Sequence, residues 1–222
     1  MCIEEFFDNI ISVKLTEGGE LNIIDQTLLP GEIKRINLNT KEEIWEAIKK
    51  LRVRGAPAIG VCAAYGIAKT ASQIEADNYA DFEKEFLELK EYFASSRPTA
   101  VNLFWALNRM EDALKANKEK SIDEIKEALF KEAEDIRNED VEISLGIGAL
   151  GFKLLKKLKR NGKEIGIMTH CNAGTLATAK YGTATAPMYM ALENGFNGDD
   201  MHVYCDETRP LLHGARLTSF EL

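Results

Sequence analysis

Three short runs of branched and apolar residues open the chain, 10–15, 21–27 and 32–38, separated by Gly18-Gly19 and by Leu29-Pro30-Gly31. Runs of this length between turn formers predict a small β region. The period then changes. Asn39-Thr40 offers a helix cap before 41–51, where Ile44, Ala47, Ile48 and Leu51 share one face. A second helix is predicted over 57–74, packed with Ala58, Gly60, Ala63, Ala64, Gly66 and Ala68, with Pro57 suited to its first turn. Segment 81–93 turns Phe82, Phe86, Leu87 and Leu89 inward, and Pro98 blocks its continuation. Segment 100–116 presents Leu103, Ala106, Leu107 and Met110 at core spacing. From Ser121 an acidic first turn starts a helical pattern that runs to about residue 158, with a break expected near Asn138. Gly146, Gly148 and Gly151 in its second half predict close approach of another backbone. Lys156, Lys157, Lys159 and Arg160, followed by Gly162, suit a helix C-terminus.

Beyond this helix the pattern becomes that of alternating strands and helices. The apolar run 163–168 and the run 201–205 each have the length of a buried parallel strand. Between them, 175–193 carries Leu176, Ala177, Ala184, Met188, Met190, Ala191 and Leu192 and is predicted helical despite Gly182 and Pro187. Another helix begins in 211–222 with Leu212, Ala215, Leu217 and Phe220. The fold class is therefore α/β: a small N-terminal β region plus helical domain (1–125), followed by a Rossmann-like parallel α/β domain (126–222). Two strands leave that second domain incomplete as a doubly wound sheet.

The candidate chemistry lies at the ends of these elements. Cys171 falls at the turn after the first parallel strand, where a crevice forms in an open sheet and helix amides favour a thiolate or an oxyanion. A lone cysteine is more often a small buried thiol, but His170, Asn172 and Gly174 beside it turn the reading towards a site. Asp206 follows the second strand in the same kind of place. Arg54 and Arg97 each precede a helix start, a natural position for a phosphate. Arg52 and Arg54 read equally well as solvated charges at a helix end.

Composition narrows the classes. The chain has 222 residues, 45% hydrophobic and 29% charged, as an ordinary globular protein does. A net charge of −8 and a pI near 5.1 speak against a nucleic-acid or anionic-membrane surface. Cys2, Cys62, Cys171 and Cys205 are widely spaced and form no CxxC pair, so neither a disulfide framework nor a metal site is expected, and a reducing cytoplasm fits. The acidic N-terminus lacks the basic start of a signal peptide, and the longest apolar stretch, 56–68, is too short for a membrane span.

Four long motifs, LRVRGAPAIGVCAAYG, SRPTAVNLFWAL, MTHCNAGTLATAKYGTA and YCDETRPLLHGARLTSFEL, with IIDQTLLPGE near the start, resemble the methylthioribose-1-phosphate isomerase family. Its wider superfamily includes isomerases of ribose 1,5-bisphosphate and of 5-deoxyribose 1-phosphate, and the regulatory subunits of translation initiation factor 2B. The resemblance implies a homodimer that converts 5-methylthioribose 1-phosphate to its ketose in methionine salvage, with no metal or other cofactor. A related sugar phosphate, or a non-catalytic regulatory role, is the alternative. By motif, Arg54, Gly55, Ala56 and Arg97 would bind substrate, chiefly its phosphate, and Cys171 would be the active-site cysteine. His213 stands where the family carries a substrate-binding Gln, which puts sugar specificity in question, since imidazole lacks the paired donor and acceptor of an amide. The family's catalytic Asp and a substrate-binding Asn-Lys pair correspond to positions beyond Leu222, so this chain alone is expected to isomerise poorly.

Overall fold

The branched runs form an antiparallel meander. β1 (Val13–Leu15), β2 (Leu21–Ile24) and β3 (Arg35–Leu38) pair in that order, with Val13 opposite Ile23 and Ile23 opposite Ile36. The computed structural model describes residues 7, 9–16, 18–159, 164–209 and 211–222. Cys2, Lys163, Pro210 and the Arg160–Gly162 helix end lie outside the described residues.

Helix α1 (Lys41–Lys49) begins in a reciprocal cap: the Thr40 hydroxyl accepts from Glu43 N, and the Glu43 carboxylate accepts from Thr40 N. Helices α2 (Ala56–Ala71), α3 (Tyr79–Ala94) and α4 (Val101–Ala116) follow. The small residues of α2 let its neighbours come close. A Cβ on Gly66 would lie 2.8 Å from Ile44 Cγ2, and one on Gly60 would lie 3.2 Å from the Asn102 carbonyl oxygen. Ile44, Ile48, Ile59, Phe82, Phe86, Phe93, Leu103 and Leu107 fill the resulting core.

Helix α5 (Ile122–Leu158) is continuous over 37 residues, with no break at Asn138. Asn lowers helix propensity only slightly, and buried Ile125, Leu129, Ala133 and Ile136 anchor the first half to the core. The second half packs on α6 (Ala186–Glu193): a Cβ at Gly148 would sit 3.2 Å from the Ala186 carbonyl oxygen, and one at Gly151 would sit 2.7 Å from Pro187 Cβ. Gly146 has no such neighbour. Outward, Ile143, Ile147, Leu150, Leu154 and Leu158 form an exposed apolar stripe along α5.

The predicted helix over 175–193 does not form as one piece. Only a single 3₁₀ turn, Thr175–Ala177, appears before α6. Tyr181 (φ 70°) and Gly182 (φ 79°) take left-handed backbone between them, and Pro187 fits only the first turn of a new helix. Strands β4 (Ile165–Thr169) and β5 (Met201–Cys205) pair in parallel, Ile165 opposite Met201 through Thr169 opposite Cys205. Met168, His202 and Tyr204 remain exposed on one face. The last segment is a π-helical turn, Gly214–Thr218, running into Ser219–Glu221. Among the described residues, no helix is long and apolar enough to cross a membrane.

Candidate active site

The N-terminus of α2 and the loop after β4 meet directly, and Gly55 is the point of contact. Gly55 has φ 99°, a conformation that disfavours any side chain, and a Cβ there would fall 2.6 Å from the Ala177 carbonyl oxygen and overlap its Cα. Gln26 fastens the same junction. Its side-chain amide donates to the Leu176 carbonyl and to Ser12 Oγ, both at 2.8 Å, and its backbone N–H donates to the Arg52 carbonyl at 2.9 Å.

This junction separates the two arginines that the sequence leaves equivalent. Arg52 is consumed in ion pairs with the buried Asp25 and, at 3.1 Å, with Glu46. Thr27 also donates to Asp25, and with Arg52 it holds that carboxyl below the ordinary range against the desolvation of burial. Arg54 is different. It is only 5% exposed, yet its Nε and Nη2 have no hydrogen-bond partner. Burial, and then the neighbouring charge of Arg216, lower its pKa to about 10, so it stays cationic at neutral pH. A buried guanidinium with free donors is costly unless an anion completes it.

His213 and Arg216 come to Arg54 from the segment after β5. Arg216 is held in place by the β2–β3 connection, donating from Nε to the Leu29 carbonyl at 3.0 Å and from Nη2 to the Thr27 carbonyl at 2.7 Å. His213 has both ring nitrogens buried and unpartnered. Burial lowers its pKa, Arg54 and Arg216 lower it further, and Glu207 opposes them, so the imidazole is neutral at pH 7. Glu207 caps the last helical segment, accepting from Gly214 N at 2.9 Å and Ala215 N at 3.0 Å. The amide of Asn172 likewise has a buried oxygen and nitrogen with no partner.

Cys171 leaves the end of β4 exposed and in left-handed backbone (φ 62°). The expected helix N-terminus beside it is absent. The following 3₁₀ turn is too short to sum a dipole, and its Leu176 N–H is directed at the Glu221 carboxylate, 3.1 Å away. What lies near Cys171 instead is an exposed pair: His170 Nδ1 is 3.3 Å from Asp206 Oδ2, across the carboxyl ends of β4 and β5.

Gly55 is thus brought against the Cys171 loop, with Arg54 and Ala56 as its chain neighbours and His213 close to Arg54. Arg97 stands half-buried in the turn between α3 and α4, and the charge that acts on Arg54 is that of Arg216, not Arg97. Gln26, Arg216 and Glu221 were not apparent from the sequence alone, although Arg216 follows His213 at a helical spacing that puts both on one side. Among the described residues, no cluster of three His, Cys, Asp or Glu could hold a metal ion.

Residues 52–222 match the initiation factor 2 subunit family. The chain is 55% identical over 214 residues to the 5-deoxyribose 1-phosphate isomerase of Petrotoga mobilis, covering 96% of this chain and 59% of that protein. It is 54% identical over 205 residues to the methylthioribose-1-phosphate isomerase of Symbiobacterium thermophilum, covering 92% and 55%. Among solved structures, the 5-methylthioribose 1-phosphate isomerase of Pyrococcus horikoshii OT3 superposes with a TM-score of 0.86 at 38% identity, over 100% of this chain and 59% of that one. The delta subunit of translation initiation factor eIF-2B from A. fulgidus gives 0.81 at 39%, over 96% and 59%. The chain therefore spans under three-fifths of the length of these relatives.

Proposed function

The chain belongs to the initiation factor 2 subunit family, and on that premise we propose that it carries the phosphate-binding and thiol-bearing part of an aldose–ketose isomerase. Its substrate is a ribose 1-phosphate altered at C5, either 5-methylthioribose 1-phosphate, in methionine salvage, or 5-deoxyribose 1-phosphate. The net reaction needs no external oxidant: the hydrogen on C2 moves to C1, the C1–O4 ring bond opens, and the C2 hydroxyl proton ends on O4 as C2 becomes a carbonyl.

The observation that carries this reading is Arg54, buried with two nitrogens unpartnered, packed through Gly55 against the Cys171 loop and flanked by Arg216 and His213. A buried guanidinium whose proton affinity is lowered by burial and by a second guanidinium marks a place where a dianion is favoured. Cys171 then assists at the sugar end, and His213 contacts its hydroxyls or C5 substituent. Arg97 belongs to the phosphate site only if substrate binding draws the α3–α4 turn towards Arg54. A pair of copies docked through the α5 stripe is the assembly this reading favours, since a row of exposed Ile and Leu is the kind of patch that marks an interface.

The likeness to an initiation-factor subunit favours one other reading, a sugar-phosphate-sensing subunit without turnover. Adding each of the two sugar 1-phosphates to the protein separates them. Ketose signals by NMR support the isomerase. Calorimetric binding that gives no product even when the downstream segment carried by the longer relatives is supplied supports the sensor. No binding of either sugar, or binding untouched by Arg54→Ala, refutes the assignment of the site.

A further inference from the structure

We infer that Glu221 is a positioning residue for Cys171, its carboxyl group fixing the loop that carries the thiol. A carboxyl group is rarely kept inside a protein unless it is paired, because burial strips its hydration. Glu221 is 3% exposed and has no cationic partner among the interactions described for it. Its contacts are instead with the Cys171 loop. Oε2 accepts the Leu176 N–H at 3.1 Å, and the Gly174 backbone lies so close that a Cβ there would fall 2.5 Å from Glu221 Cδ.

The same helical segment holds the other end of the loop, where Thr218 Oγ1 donates to the Cys171 carbonyl at 3.3 Å. Cys171 needs such holders, since a non-glycine residue at φ 62° persists only where its surroundings impose it. Facing Glu221 from α6 is Tyr189, which donates to the Glu221 carbonyl at 3.1 Å and whose phenol is raised by burial and by this carboxyl. Facing it from the loop are the amides of Thr175 and Leu176. Burial raises the Glu221 carboxyl to about 8 against those two amides, so at neutral pH it is mostly a neutral acid, and Oε1 is left without a partner. Ionising it places an unpaired charge against the loop, and the loop then loosens.

The inference rests on reading Cys171 as the reactive group, and its test needs no turnover. The rate of Cys171 carbamidomethylation by iodoacetamide is read by peptide mass spectrometry in the full chain, with half-buried Cys205 as internal reference. Glu221→Ala, folded by circular dichroism, should change the Cys171-to-Cys205 rate ratio roughly tenfold, while Glu221→Gln stays within about twofold of the unsubstituted protein at neutral pH. Between about pH 7 and about pH 9 the quotient of Cys171 rates, unsubstituted over Gln, should drift by about threefold, because only one of the two proteins ionises at this position. A folded Ala variant with an unchanged ratio overturns the inference. So does a constant quotient, which decides the matter even if Glu221→Ala does not fold. Sugar-phosphate binding untouched by Arg54→Ala would count only against the proposed function.

Discussion

Replacing Glu221 by Gln removes one ionisation from a site where it is unwelcome, and the consequence for stability can be worked out. Burial raises the carboxyl from its ordinary 4.5 to about 8 in the folded chain. Below the unfolded value both states are protonated and the group contributes nothing to the pH dependence. Above it, the unfolded chain releases the proton while the folded chain keeps it, so stability falls as pH rises until the folded group also ionises near 8. Each pH unit within that window costs about 1.4 kcal/mol, so from about pH 5 to about pH 7.5 the loss is about 3 kcal/mol. That is a large share of a total stability of roughly 5–15 kcal/mol. Gln keeps the acceptor for Leu176 and carries no titrating proton. Urea unfolding across this range should therefore show the Gln variant gaining on the unsubstituted protein by about 3 kcal/mol, whatever constant offset the new amide introduces. All other ionisable groups are shared and cancel in the difference. Stability curves that run parallel within about 0.5 kcal/mol would refute the claim that Glu221 is buried as an acid.

Gly55→Ala should lower the melting temperature, with a loss of about 2–4 kcal/mol in chemical unfolding, because it combines a left-handed φ with overlap on Ala177. Arg54→Met should raise thermal stability by removing a buried charge with free donors, yet weaken sugar-phosphate binding by about 1.5–3 kcal/mol in calorimetry. Unchanged affinity would remove Arg54 from the site. His213→Gln should shift preference between the methylthio and deoxy sugars in competition assays, since it replaces a neutral imidazole, whose donor and acceptor sit on separate ring nitrogens, with an amide that presents both side by side.

The elements legible in the sequence are those fixed by neighbours in the chain. The meander follows from short branched runs between turns, α1 from its Thr40–Glu43 cap, and β4 and β5 from apolar runs of strand length. The Cys171 turn and the Arg54-Gly55 helix start were readable for the same reason, as strand end and helix end. Local signals overreached where two influences competed. The apolar spacing over 175–193 suggests a helix, but left-handed Tyr181 and Gly182 divide it, while Asn138 suggests a break that the anchored face of α5 overrides.

The tertiary structure alone decided which charged groups are available for chemistry. Arg52 and Arg54 are two residues apart, but one meets Asp25 and Glu46 while the other is left with empty donors beside Arg216. Gln26 reaches Leu176 across 150 residues of chain, and Glu221 closes on Gly174 and Leu176 from the last helical segment. Spacing along the chain encodes which face a side chain takes within its own element. Desolvation and pairing depend on what the other elements bring to that face, and those terms set whether an arginine is a strut or an anion site.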